Sequence, residues 1–157
     1  MQENKALIQK FYTSFQNKDY KGMQECYASE AVFVDDVFQE LDADKVKAMW
    51  QMLLMSSRDL QITFDNIHFD EHSASCDWVP VYTFSLTDNK VINSIHAEFE
   101  IQNGKFTVHH DSFNFYKWAR QAFGIKGWLF GWMRSFQCAV QKKSQEKLSA
   151  FMVSKAD

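Results

Sequence analysis

Proline and cysteine are scarce in this chain, and long apolar runs are missing. One proline, Pro80, stands in 157 residues, so few backbone positions are barred from regular structure. Cys26, Cys76 and Cys138 are isolated and odd in number, which excludes a disulfide framework and a zinc site and suits a reducing compartment. No stretch approaches the ~18 apolar residues of a membrane span. The nearest, WLFGWM at 128–133, is far too short. No basic stripe is visible: the net charge is −3 with Lys and Arg spread along the chain, so a nucleic-acid partner is not expected. The opening MQENKALIQK is polar and amphipathic, unlike a signal peptide, and a cytoplasmic location is the expectation.

Aromatic residues are plentiful. They make up 16% of the chain, fifteen of them Phe, which calls for a thick core or a lined pocket. The length fits one domain. Leu7, Phe11 and Phe15 recur at helical spacing with Ile8 and Tyr12 beside them, and Asn17-Lys18-Asp19 breaks the pattern. Tyr20, Met23 and Tyr27 predict a second short helix. AVFV, 31–34, reads as a buried strand, and Asp42 as the N-cap of a third helix with Val46, Met49, Trp50, Leu53 and Leu54 on its apolar face. From residue 60 the period becomes two. Ile62/Phe64 and Ile67/Phe69 change parity across Asp65-Asn66, which predicts a bulge. Pro80 requires an edge or a bulge in the strand 78–84. Residues 91–101 alternate as one strand, Asn103-Gly104 is a hairpin turn, and the last strand carries HHDSFNF. Helices first and meandering strands afterwards predict an α+β fold.

The order FYTSFQNKDYKGMQECYA, AVFVDD and NGKFTVHHDSF resembles the nuclear transport factor 2-like superfamily, in its SnoaL-like and ketosteroid-isomerase-like branch. The resemblance covers roughly residues 5 to 116. It implies a cone-shaped, curved antiparallel sheet wrapped around N-terminal helices, an apolar pocket between them, and homodimerisation through the outer sheet face. Residues 1–116 would form the pocket domain, and 117–157 a C-terminal helical extension of that domain. The superfamily hosts isomerases, cyclases, hydrolases and ligand binders, so function must be argued from the site.

Two strands supply the candidate catalytic residues. Asp35 matches the carboxylate base of ketosteroid isomerases, and partial burial would tune such a base. Asp36 stands where the isomerase proline would be, Phe11 where its first-helix tyrosine would be, and Ile95 near its second oxyanion donor. Asp111 matches an acid/base aspartate of SnoaL-like cyclases and limonene-epoxide-type hydrolases. Strand alternation puts His109, Asp111 and Phe113 on one face and His110 on the other. The hydrolase Arg and second Asp have no counterpart in WVPVYTF, 78–84. Asp35-Asp36 also reads as a solvated turn, and the His109/Asp111 pair as a hydrogen-bonded polar spot in a central strand. His96 belongs to the outer face. His68 and His72 lack the helix that a metal pair at that spacing needs, and neither metal nor cofactor is expected.

A small, flat apolar ligand held by Phe11, Tyr12, Trp50 and Phe113 is the leading expectation, with unproven catalysis. The alternative is a proton-transfer enzyme using Asp35, Asp111 and His109. In the tail, YKWARQAFGIKGWLFGWMRSFQ places Gly124, Gly127 and Gly131 among large aromatics. It reads as helix, loosened turn and second helix, and serves as core or dimer packing, as a lid over the cone mouth, or, least favoured, as a membrane-surface contact.

Overall fold

The computed structural model describes residues 2–156. Helices α1 (Gln2–Gln16) and α2 (Tyr20–Gln24) lead into strands β1 (Tyr27–Asp35) and β2 (Gln39–Asp42), followed by helix α3 (Ala43–Ser56). Strands β3 (Gln61–Phe69), β4 (Ser73–Phe84), β5 (Asn89–Ile92), β6 (Ile95–Gln102) and β7 (Lys105–Ser112) come next. Helices α4 (Phe115–Phe123), α5 (Ile125–Phe130) and α6 (Arg134–Ala156) close the chain. One curved sheet runs β2-β1-β7-β6-β4-β3, with β5 paired to β4. All pairings are antiparallel except β1 with β7. The architecture is α+β, a sheet wrapped around the N-terminal helices.

Local chemistry explains most of these boundaries. Leu7, Ile8, Phe11, Tyr12 and Phe15 make the buried stripe of α1. Asp19 Oδ1 accepts the Gly22 N–H at the start of α2, and Asp42 Oδ1 accepts the Lys45 N–H at the start of α3. Asn103 and Gly104 both have positive φ, the conformation a tight two-residue hairpin needs. The β3–β4 register shifts between Asp65 and His68, with Asn66 at φ 50°, so the parity change in sequence is a bulge. The strand read over 91–101 is two strands. At that break β4 changes partner, from β6 at Trp78↔Ile95 to β5 at Val81↔Ile92. Pro80 sits between those pairings, where the missing N–H costs no ladder bond.

Two further elements differ from the sequence reading. Tyr27 begins β1 rather than ending α2, because its partner Phe106 on β7 draws it into the sheet. The short strand β2 carries no alternation of its own. It exists because Asp35 closes the preceding turn.

Candidate functional site

The inward face of the sheet brings together residues far apart in the chain. Phe33 lies opposite His109 and Val34 opposite His110 in the parallel β1–β7 pair. Continuing that register by one residue sets Asp35 beside Asp111 on the inward side. Across β7, His109 faces Phe99 and Asp111 faces Ala97. The small Ala97 leaves room for Trp78, which reaches Asp111 from β4.

A continuous hydrogen-bonded chain runs through this face. Trp50 Nε1 donates to Tyr27 Oη at 2.8 Å, and Tyr27 Oη lies 2.6 Å from His109 Nδ1. His109 Nε2 lies 3.0 Å from Asp111 Oδ1, which also accepts from Trp78 Nε1 at 3.2 Å. The indole N–H groups can only donate, so they set the direction. Tyr27 accepts from Trp50 and donates its own O–H in a hydrogen bond to His109 Nδ1. The ring is then the neutral tautomer with its proton on Nε2, and it donates to the Asp111 carboxylate. A doubly protonated ring would leave the Tyr27 hydroxyl proton without an acceptor. Phe11, Phe33 and Phe99 surround the imidazole at centroid distances of 4.3–5.6 Å.

Asp35 sits at the wide end and works differently. Its Oδ1 accepts the N–H groups of Val37 at 2.9 Å and Phe38 at 2.5 Å, closing the β1–β2 turn. Burial lifts its carboxyl to about 7, the neighbouring Asp111 charge adds to that, and the two donated hydrogen bonds pull the other way. The residue nevertheless keeps an edge in solvent.

Tyr12 projects inward beside Phe11 with no exposure, stacked on Phe64 at 5.1 Å and tilted against Trp78 at 6.0 Å. Its hydroxyl is buried with no hydrogen-bond partner. Burial and the Asp111 charge hold its pKa well above the usual phenol range.

The heart of the cone is filled by side chains. Phe11, Tyr12, Phe33 and His109 have no accessible surface, so no water-sized void touches them. The deep group therefore comprises Phe11, Tyr12, Trp50, His109 and Asp111, whereas Asp35 and Phe113 lie at the wide end. Phe113 packs toward Trp118 of α4, and both Phe113 and Val37 touch the main core and the tail's own core. Helix α6 straps over that end: Gln141 Nε2 donates to the Asp36 carbonyl and Gln145 Nε2 to the Phe38 carbonyl.

Sequence reasoning missed Tyr27 and Trp78 as site residues. The helical spacing of Tyr20, Met23 and Tyr27 hides the first. The inward parity of Trp78 was legible, but nothing local pointed its indole at Asp111. His96 lies on the outer face as expected, 2.6 Å from Asp77. A cleft of about 450 Å³ opens on that same face among Ser75, Glu98, Glu100 and His110. Among the described residues, no three His, Cys, Asp or Glu side chains cluster as a metal site would require.

Comparisons with known proteins agree with the architecture. A search of curated sequences finds no match. Among solved structures, an LEH-like epoxide hydrolase of M. tuberculosis aligns at TM-score 0.64 and 16% identity, over 83% of this chain and 92% of that one. A ketosteroid isomerase-like fold from Catenulispora acidiphila, in complex with trimethylamine, aligns at TM-score 0.65 and 7% identity, covering 74% and 92%. TerC, co-crystallised with polyporic acid, aligns at TM-score 0.67 and 12% identity, covering 78% and 99%. At these identities the likeness is one of fold. The SnoaL-like domain family matches residues 8–109, from the first helix to the buried histidine of β7, and the chain belongs to that family.

Proposed function

We propose that this protein binds a small, flat, mostly apolar molecule carrying one hydrogen-bond acceptor, which reaches Tyr12 by displacing side chains that close the inner face of the cone in the free protein. The observation behind this reading is the Tyr12 hydroxyl, buried without a partner among Phe64, Trp78 and Asp111. An unmet buried hydroxyl costs about 1–3 kcal/mol, and a ligand acceptor would recover that cost. Entry is at the wide end, where Asp35, Val37 and Phe113 are only partly covered. Two fold neighbours hold small molecules, polyporic acid and trimethylamine, which supports a ligand role for this architecture.

The test is a titration with 2-naphthol, followed by tryptophan quenching. Saturable quenching is expected, and Tyr12→Phe should weaken binding about five- to tenfold, the net worth of one hydrogen bond. The same variant should raise the stability of the free protein by about 1 kcal/mol, because it removes an unsatisfied hydroxyl. A loss of stability with unchanged affinity would show that the hydroxyl is satisfied in the fold, and would end this reading.

Asp35 favours a second reading. A carboxyl lifted to about 7, beside a second acid, is suited to accepting a proton from a bound substrate. Carboxyl-carbon NMR titration of Asp35 decides whether it is available: a midpoint in the ordinary carboxylate range would remove the proton-transfer role.

A further inference from the structure

The elbow formed by α5 and the turn into α6 presents its large apolar side chains outward. Ile125 is 78% exposed, Trp128 59%, Leu129 58% and Trp132 71%. Ile125, Trp128 and Leu129, at spacings of three and four, share one face of α5, and Trp132 follows in the turn into α6. The glycines occupy another face, and they explain the orientation. A Cβ at Gly127 would lie 2.0 Å from the Ala119 carbonyl oxygen of α4, and one at Gly131 would lie 3.0 Å from the Ala119 Cβ. The elbow is seated on α4 through bare backbone at Gly127, with the Trp128 ring at its edge beside Tyr116 and Arg120, and Ile125, Leu129 and Trp132 directed outward. Packing is not left unfinished here, because the contact that holds the elbow requires the aromatic ridge to project.

Charge is segregated to the same region. Residues 112–145 hold six cations (Lys117, Arg120, Lys126, Arg134, Lys142 and Lys143) and no carboxylate, so a total of −3 leaves −9 on the rest of the chain. Arg120 is held between aromatic rings, its guanidinium carbon 4.8 Å from the Tyr116 centroid and 4.6 Å from that of Trp128. An open cleft of about 450 Å³ beside the ridge is lined by Lys117, Arg120, Gln121, Ser94, Ile92 and Trp128. It offers two cations and no acid to an anionic group. Lys126 and Arg134 flank the ridge and are exposed.

We infer that this elbow docks on the surface of an anionic lipid bilayer. The Trp, Leu and Ile side chains would enter the boundary between headgroups and acyl chains, and the cations would meet the lipid phosphates. No helix among the described residues is long and apolar enough to cross a membrane, so the contact is peripheral. On this inference the membrane contact, the least favoured of the tail's three roles in the sequence reading, moves ahead of packing and of a lid.

The experiment is co-sedimentation of the full chain with phosphatidylcholine vesicles, with and without phosphatidylserine, read also by tryptophan emission. Binding to the phosphatidylserine vesicles is expected, with a blue shift as Trp128 and Trp132 leave water, and with loss of binding as salt is raised. Lys126→Gln and Arg134→Gln should each weaken partition about fivefold. Trp132→Ser should weaken it further without changing the melting of the fold, since the side chain holds no core contact. Three results would overturn the inference. One is a folded protein that stays in the supernatant of both vesicle types. Another is equal, salt-insensitive binding to phosphatidylcholine alone. The third is a self-associating protein that Trp132→Ser renders monomeric, which would assign the ridge to a second copy.

Discussion

The cone interior and the C-terminal elbow are built from the same aromatic residues with opposite outcomes. Phe11, Trp50 and Trp78 are enclosed, while Trp128 and Trp132 project into solvent. In the cone, large side chains from α1 and α3 meet a curved sheet that places its inward residues against them. In the elbow, glycine takes the closest contact positions, and the backbone of α5 rests on that of α4 at Ala119. Hydrophobicity supplies the drive to bury apolar surface, but the backbone separation decides which side chains can use it.

The largest expected effect lies inside the cone. Phe11→Ala should cost about 3–5 kcal/mol in urea unfolding, because its ring touches those of Tyr27, Trp50, Phe106 and His109 and leaves an uncollapsed void. Trp132→Ser, a loss of comparable apolar volume, should fall within about 0.5 kcal/mol of the native value. Equal costs for the two would break the comparison.

Gly127→Ala comes next. The added methyl meets the backbone of Ala119, which cannot rotate away, so about 1–3 kcal/mol is expected. Hydrogen exchange should locate the loss in α4 and α5 while the sheet amides stay protected. Protection lost evenly across the sheet would show that the elbow is integral to the cone.

Asp35 sharpens the difference between enclosed and exposed charge. Its folded-state carboxyl holds the proton up to about pH 7, whereas an unfolded carboxyl releases it near pH ~4. The folded chain therefore binds more protons across that window. Stability should be highest at the acid end and fall as pH rises from about 4 to about 7. In the Asp35→Asn variant the amide oxygen would still accept the Val37 and Phe38 N–H groups, so the turn should survive and the slope should flatten. An unchanged slope would show that another group titrates.

Much of the fold was legible because it rests on local rules. The four-residue recurrence of α1, the parity change at Asp65-Asn66, the cap at Asp42 and the Asn103-Gly104 hairpin each need only neighbours in sequence. The face shared by His109, Asp111 and Phe113 followed from alternation alone. The break between β5 and β6 was not legible, because it reflects what Pro80 does on a different strand. Nor was the role of Tyr27, whose hydroxyl acquires meaning only from Trp50 and His109.

By itself, the sequence determined most of the element types, the face shared by His109, Asp111 and Phe113, and membership in the SnoaL-like domain family. Only the tertiary structure decided that Asp35 and Asp111 are neighbours, that the imidazole is wired between a phenol and a carboxylate, and that the tail's tryptophans face water. The physical reason is that periodicity encodes which side of an element is apolar. What meets that side, at what separation and with which hydrogen-bond partners, depends on residues tens of positions away.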